Sequence, residues 1–122
     1  MPSKHDPGDS LADIIDNAER IESYIAGMDQ DEFERNGLTR DAVERCLERI
    51  CEAIFRLDDE AEALLIGQPV RQMRGMGNKL RHAYDRLALE VIWETVSSRV
   101  PELEAAARQA LAKLEPGDGD TA

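Results

Sequence analysis

A histidine and several basic residues share a stretch of the chain that contains no acidic residue. The stretch, Ala63–Tyr84, is 22 residues long and carries a net charge of +4 in a chain whose formal net charge is −11. Histidine exchanges a proton near neutral pH, and a guanidinium can hold a phosphate and stabilise transition-state charge. This combination favours metal-free cleavage of RNA. Its basic residues are Arg71, Arg74, Lys79 and Arg81.

Helical spacing would place the candidate side chains on one face. At about 100° per residue, Arg71, Arg74 and Asn78 fall within about 60° of one another, and His82 lies about 80° from Arg74. Asn78 and His82 are neighbours at i, i+4. Arg74 and His82 stand about 12 Å apart along the axis, a gap that a flexible arginine can partly close. The opposite face takes Met73, Met76, Gly77, Leu80, Ala83 and Tyr84.

The chemistry gives each polar residue a predicted role. His82 would take the proton from a ribose 2′-OH or donate one to the leaving oxygen. Arg74 would clamp the phosphate, Asn78 would orient the phosphate or the imidazole, and Arg71 and Arg81 would bind the substrate. This mechanism needs no metal and no other cofactor. A solvated helix face on a helical scaffold protein without an active site explains the same residues.

The overall composition limits the possible classes of protein. The 26 acidic residues against 15 basic ones argue against a general nucleic-acid coat protein, although a narrow local site stays possible. No window approaches 18 apolar residues, and Met1–Asp9 lacks the apolar run of a secretory signal. Cys46 and Cys51 share a helical pattern with poor disulfide geometry, which is typical of free thiols in a reducing compartment. We therefore expect a cytoplasmic protein with no zinc site and no membrane span.

Apolar periodicity predicts an all-α bundle of four to five helices, with no strand signal longer than four residues. A flexible tail is expected at residues 1–9, the bundle at 10–115 and a second flexible tail at 116–122. The first helix is expected to start at Asp9 or Ser10, and a short one at Gln30. A long helix capped by Thr39 is expected to end near Leu65, and the next to run from Pro69 to about Tyr84. The last two are expected at Leu89–Ser98 and from Pro101 onward. The dipeptide at positions 36–37 is expected to be a break.

Three blocks of the sequence resemble the HepT-like proteins of the HEPN superfamily. The stretch MGNKLRHAY (76–84) resembles the family's signature helix, and the similarity extends from about Leu11 to Leu114. The opening LADIIDNAERIESYIAGM resembles the first family helix. FERNGLTRDAVERCLERICEAI, which has Cys51 at the usual glycine, and VIWETVSSRVPEL resemble two further blocks in the right order.

The resemblance implies an all-α HEPN bundle, usually a homodimer, that acts as a metal-independent RNase toxin on tRNA or mRNA. Its partner would be a minimal nucleotidyltransferase antitoxin that attaches AMP to Tyr84. The family motif is an Arg, then four to six residues, then a His, one residue and a Tyr. The motif His corresponds to His82, and the motif Tyr corresponds to Tyr84. The motif Arg falls on Gly77, so either Arg74 substitutes or the chain is a weakened module that binds a nucleotide or the transferase.

Overall fold

The computed structural model describes residues 6–81 and 88–114, with Arg81 described by its backbone alone. It confirms an all-α bundle of the HEPN type, and the described residues contain no strand. The main helices are α1 (Pro7–Ile25), α2 (Gln30–Arg35), α3 (Gly37–Leu57), α4 (Ala61–Leu64), α5 (Val70–Arg81), α6 (Leu89–Glu94) and α7 (Val100–Leu114). A 3-10 turn (Asp58–Glu60) follows α3, and a π-helical turn (Thr95–Arg99) joins α6 to α7.

The core lies where α1, α3, α5 and α7 meet. Of the apolar stripe predicted on α1, Leu11, Ile14, Ala18 and Ile21 show no exposed surface, while Ile15 and Ile25 are half-buried and pack against the core. Helix α1 packs against α3 and α7, and α5 packs against α3. One cluster of buried apolar residues joins these helices. Because α3 supports α5 along its inner side, the rigid core fixes which face of α5 meets solvent.

Two aromatic rings join the small helix α2 to α6. Phe33 of α2 is fully buried, and its ring centroid lies 5.3 Å from that of Trp93 at an interplanar angle of 40°. This tilted geometry is favourable for aromatic pairs. The pair therefore anchors α6 to the bundle.

The predicted starts of α1 and α3 are wrong by two or three residues. Helix α1 begins at Pro7, because the Asp6 side chain caps it by accepting from the Gly8 N–H at 2.9 Å. Helix α3 begins at Gly37, because Asn36 is its N-cap and accepts from the Thr39 N–H at 3.0 Å. The expected break at 36–37 is therefore a helix cap.

Two predicted helix ends also differ from the structure. Helix α3 ends at Leu57 instead of Leu65, because Asp58 has a φ of 53°, which a helix cannot continue. Helix α6 ends at Glu94 instead of Ser98, because the π turn begins at Thr95 and leads directly into α7, which starts one residue before the predicted Pro101. In that turn the Thr95 hydroxyl donates to the Val91 carbonyl at 2.8 Å and the Ser97 hydroxyl donates to the Trp93 carbonyl at 2.6 Å.

Both cysteines are buried free thiols, as predicted. Burial raises the pKa of the Cys46 thiol, which keeps it protonated and unreactive. No helix among the described residues is long and apolar enough to cross a membrane. Of the tails predicted at residues 1–9 and 116–122, residues 1–5 and 116–122 lie outside the described residues, and residues 7–9 belong to α1.

Candidate functional site

Helix α5 buries the face that the helical angles predicted to be apolar. Val70 is 2% exposed and Met73 is 4% exposed, and Gly77 is also buried. Met76 and Leu80 are half-buried and pack against the core cluster. The predicted division of this helix into an apolar and a polar face is therefore confirmed over the described residues.

The opposite face of α5 presents Arg71 and Asn78 to solvent. Their positions are seven residues apart, which is about 10 Å along the helix axis. Arg71 makes no ion pair or hydrogen bond with any residue in the described ranges. Its guanidinium is thus available to an anionic ligand.

Arg74 lies at the edge between the two faces and is already engaged. Its Nη2 donates to the backbone carbonyl oxygen of Asp58 at 2.5 Å, at the end of α3. Its Nε is buried and has no hydrogen-bond partner among the described residues. The guanidinium has five N–H donors in total, so this contact leaves donors for a second acceptor. The phosphate-clamp role of Arg74 stays a prediction.

Three of the predicted site residues fall beyond what the structure describes. His82 and Tyr84 lie outside the described residues, as does the side chain of Arg81. Helix α5 is described through the backbone of Arg81, which immediately precedes His82 in the chain. The structure therefore brings Arg71 and Asn78 onto one exposed face, next in sequence to the candidate catalytic histidine.

A groove that the sequence did not predict runs between α5 and the α6–π-turn segment. Its volume is about 410 Å³, within the range of roughly 300–1,000 Å³ that is typical of ligand sites. We call it the α5–α6 groove. It is lined by Pro69, Gln72, Met73, Gly75, Met76, Lys79, Val91, Glu94, Thr95 and Arg99.

The sequence signalled the charge of only one of the two cations in the α5–α6 groove, and it placed neither of them there. Lys79 belongs to the acid-free stretch, but helical angles place it about 100° from Asn78, off the predicted face. Arg99 lies 20 residues further on, in the π turn, and only tertiary packing brings it to the same groove. Sequence reasoning could have included Lys79 on charge alone but had no means of finding Arg99.

The two glycines of α5 have opposite surroundings. A Cβ built on Gly75 meets no heavy atom within 4 Å, and Gly75 opens into the α5–α6 groove. Gly77, where the family motif has its arginine, is buried. Only Gly75 would therefore permit close approach of another chain from outside.

The described residues contain no group of three or more His, Cys, Asp or Glu side chains that could hold a metal ion. Five acidic residues of α1, α3 and α7 form ion pairs with arginines. Such pairs join Arg20 to Asp16, Arg45 to Glu48, Arg56 to Asp13, and Arg108 to both Glu19 and Glu104.

Comparison with known proteins identifies similar chains. The profile of the family described as Ribonuclease HepT-like matches residues 14–110. A protein of Methanocaldococcus jannaschii with a provisional assignment as an RNase is 31% identical over 115 residues, which cover 94% of this chain and 98% of the relative. A protein of Thermococcus cleftensis with a provisional assignment as ribonuclease HepT is 34% identical over 96 residues, which cover 79% of this chain and 87% of the relative. No solved structure matches the chain significantly.

Proposed function

Because the chain belongs to the HepT-like ribonuclease family, we propose that it is an RNA endonuclease that needs no metal ion. The observation that carries the proposal is the exposed polar face of α5. Arg71 and Asn78 share that face, and the helix leads at Arg81 into His82. A local cationic surface on an acidic protein suits a narrow RNA site better than general RNA coating.

The proposed reaction is an internal transfer of the phosphodiester. His82 takes the proton from the ribose 2′-OH, and the 2′ oxygen attacks the phosphorus. The bond from phosphorus to the 5′ oxygen breaks, and that oxygen receives a proton from water. The products are a 2′,3′-cyclic phosphate and a 5′-OH. Only proton transfer and charge stabilisation are required, and histidine and arginine supply both.

The remaining predicted residues hold the substrate. Arg71 and Arg74 neutralise the phosphate oxygens as charge develops on them, and Asn78 orients the phosphate or the imidazole. Arg74 would do so with donors that the Asp58 carbonyl does not use. Arg81 adds positive charge next to the histidine.

We further propose that this RNase is the toxin of a cytoplasmic toxin–antitoxin pair. Its partner would be a minimal nucleotidyltransferase, and attachment of AMP to Tyr84 would silence it. The modified phenol would lie two residues from His82 in the chain, so AMP attached there would add a phosphate and a nucleoside next in sequence to the candidate catalytic histidine. A homodimer would bring two α5 faces to one cleft. These features come from the family resemblance, and support for them is the family membership of the chain.

Induced expression in a bacterial host tests the proposal. Wild type and His82→Ala are induced to equal levels, and growth and total tRNA on gels are compared, with Lys113→Ala at the exposed last turn of α7 as the control. We expect growth arrest and RNA fragments with wild type and the control only. Equal growth and intact RNA in all three cultures would contradict the proposal.

The second candidate function is a catalytically weakened module that binds a nucleotide or the partner transferase. The observation that favours it is Gly77, which has no side chain at the motif position that otherwise carries the phosphate-binding arginine. This candidate predicts a complex with the transferase without RNA cleavage. It also predicts that Gly77→Arg creates or raises cleavage.

A further inference from the structure

We propose that the α5–α6 groove binds one nucleotide of the RNA strand beside the cleavage site, with Lys79 and Arg99 on its phosphate. This inference rests on the proposed RNase function and adds a substrate subsite to it. The sequence-predicted site lies on the neighbouring face of α5, around Arg71 and Asn78. The groove would hold the next part of the same strand.

The charges of the groove favour an anionic ligand. Lys79 and Arg99 are exposed, line the same groove and form no ion pair with any described residue. In a chain with 26 acidic and 15 basic residues, unpaired cations facing one cavity are unexpected. Among the described residues that line the groove, Glu94 is the one acid, so these residues together carry a net charge of +1. That balance suits one phosphate.

The rest of the lining suits a base. Met73 and Met76 contribute thioether side chains, and Val91 remains 41% exposed at the groove wall. Methionine sulfur makes favourable contacts with aromatic rings, which include nucleobases. Gln72 supplies an amide that can both donate to and accept from a base edge. A cavity of about 410 Å³ has room for one nucleotide.

Gly75 gives the strand a path between the two surfaces. On the helix it lies between Arg71 of the polar face and Lys79 of the groove, at about 40° from each. No heavy atom stands within 4 Å of its Cβ position, so a sugar–phosphate backbone can pass close to α5 there. A bulky side chain at this position would block the path without a clash inside the protein.

The test measures binding of an RNA oligonucleotide in which every ribose carries a 2′-O-methyl group. This RNA cannot be cut, because the attacking hydroxyl is absent. Fluorescence anisotropy gives the Kd of wild type, Lys79→Gln and Arg99→Gln at several salt concentrations, with Lys113→Gln and Arg35→Gln as controls for the same charge changes. We expect each groove variant to weaken binding about tenfold and to flatten the salt dependence, and the controls to bind like wild type.

A second pair of variants tests the path across α5. Gly75→Phe should weaken binding by a similar factor, while Gly75→Ala, its matched control, should bind like wild type. AMP measured in the same assay separates an RNA nucleotide from a free nucleotide, and we expect AMP to bind far more weakly than the oligonucleotide. Equal affinity for AMP would overturn the assignment to RNA.

Two results would overturn the subsite, and neither depends on the cleavage assay. One is oligonucleotide affinity that is unchanged in Lys79→Gln, Arg99→Gln and Gly75→Phe. The other is a change in oligomeric state by light scattering in Gly75→Phe while both charge variants bind normally, which would make the groove an interface between copies. Wild-type cleavage with normal binding by the groove variants refutes the subsite alone. Groove-dependent binding without cleavage supports nucleotide binding by the groove and refutes the RNase proposal.

Discussion

Arg74 of α5 donates through Nη2 to the backbone carbonyl oxygen of Asp58 at the end of α3, at 2.5 Å. The last carbonyls of a helix have no partner within the helix, and they carry the negative end of its dipole. The Arg74 guanidinium donates a hydrogen bond to the free carbonyl, and its positive charge interacts favourably with the negative end of the helix dipole. The contact ties the first half of α5 to α3 and so fixes the direction in which Arg71 and Asn78 point.

Loss of this contact should destabilise the fold. We expect Arg74→Ala to lower the free energy of unfolding by about 1–2 kcal/mol, because the exposed Asp58 carbonyl loses a charged donor and the half-buried Arg74 side chain loses its packing. Urea denaturation measures it. Arg71→Ala is the matched control and should change stability by less than about 0.5 kcal/mol, since Arg71 is exposed and has no partner among the described residues. Equal losses in the two variants would contradict a structural role for Arg74.

The two glycines of α5 should respond oppositely to the same substitution. We expect Gly77→Arg to lower the free energy of unfolding by about 1–3 kcal/mol, because a long cation would enter a buried position. Gly75→Arg should be neutral or gain up to about 1 kcal/mol, because its Cβ meets open space and arginine favours helix more than glycine does. Thermal unfolding measures both variants, and equal melting temperatures would show that Gly77 tolerates a side chain. Because Gly77→Arg is expected to destabilise the fold, its unfolding must be measured whenever its RNA cleavage is compared with that of wild type.

A carboxyl pair between α1 and α7 should make stability depend on pH. A hydrogen bond with Glu104, with burial and the nearby charges of Glu104 and Glu19 as further causes, raises the pKa of Glu22 above its usual 4.5. Glu104 also accepts from Arg108, at 2.8 Å from Nη2. The raised pKa means that the fold favours protonated Glu22. That contribution is complete below the unfolded pKa and is lost as pH rises through the folded pKa.

Glu22→Gln removes this charge and should reveal the effect. At pH 4 we expect the variant and wild type to have similar free energies of unfolding. At pH 7 the variant should be the more stable, because wild type then holds an ionised Glu22 beside Glu104. Urea titrations at both pH values measure the difference, with Glu62→Gln as the control. A stability difference that is the same at both pH values would contradict the carboxyl pair.

Periodicity was sufficient to predict the packing of the long helices. Most of the apolar residues that recur at helical spacing on α1 and α3 are buried, because a 3.6-residue repeat places them on one side of the helix and that side packs against the core. The same reasoning predicted the buried face of α5 and the exposure of Arg71 and Asn78. These are local properties of single helices, and the sequence contains them directly.

Features that depend on contacts between distant residues could not be predicted. Helix α3 stops at Leu57 because Asp58 takes a positive φ, and its carbonyl then meets Arg74, 16 residues later. The placement of Arg99 opposite Lys79 depends on a π turn that continues into α7. No spacing rule foresees either relationship, because each arises when two helices pack. The roles of His82 and Tyr84 stay predictions.

Analysis of RNA ends after cleavage by the purified protein tests the central claim most directly. Wild type, His82→Gln and Lys113→Gln are incubated with RNA in the presence of EDTA, and the new termini are identified by mass spectrometry. We predict 2′,3′-cyclic phosphate and 5′-OH ends from wild type and the control, and at least a hundredfold slower cleavage by His82→Gln, about the loss expected for a general base. Cleavage that EDTA abolishes, or that His82→Gln performs at the wild-type rate, would contradict a metal-free RNase with His82 at its centre.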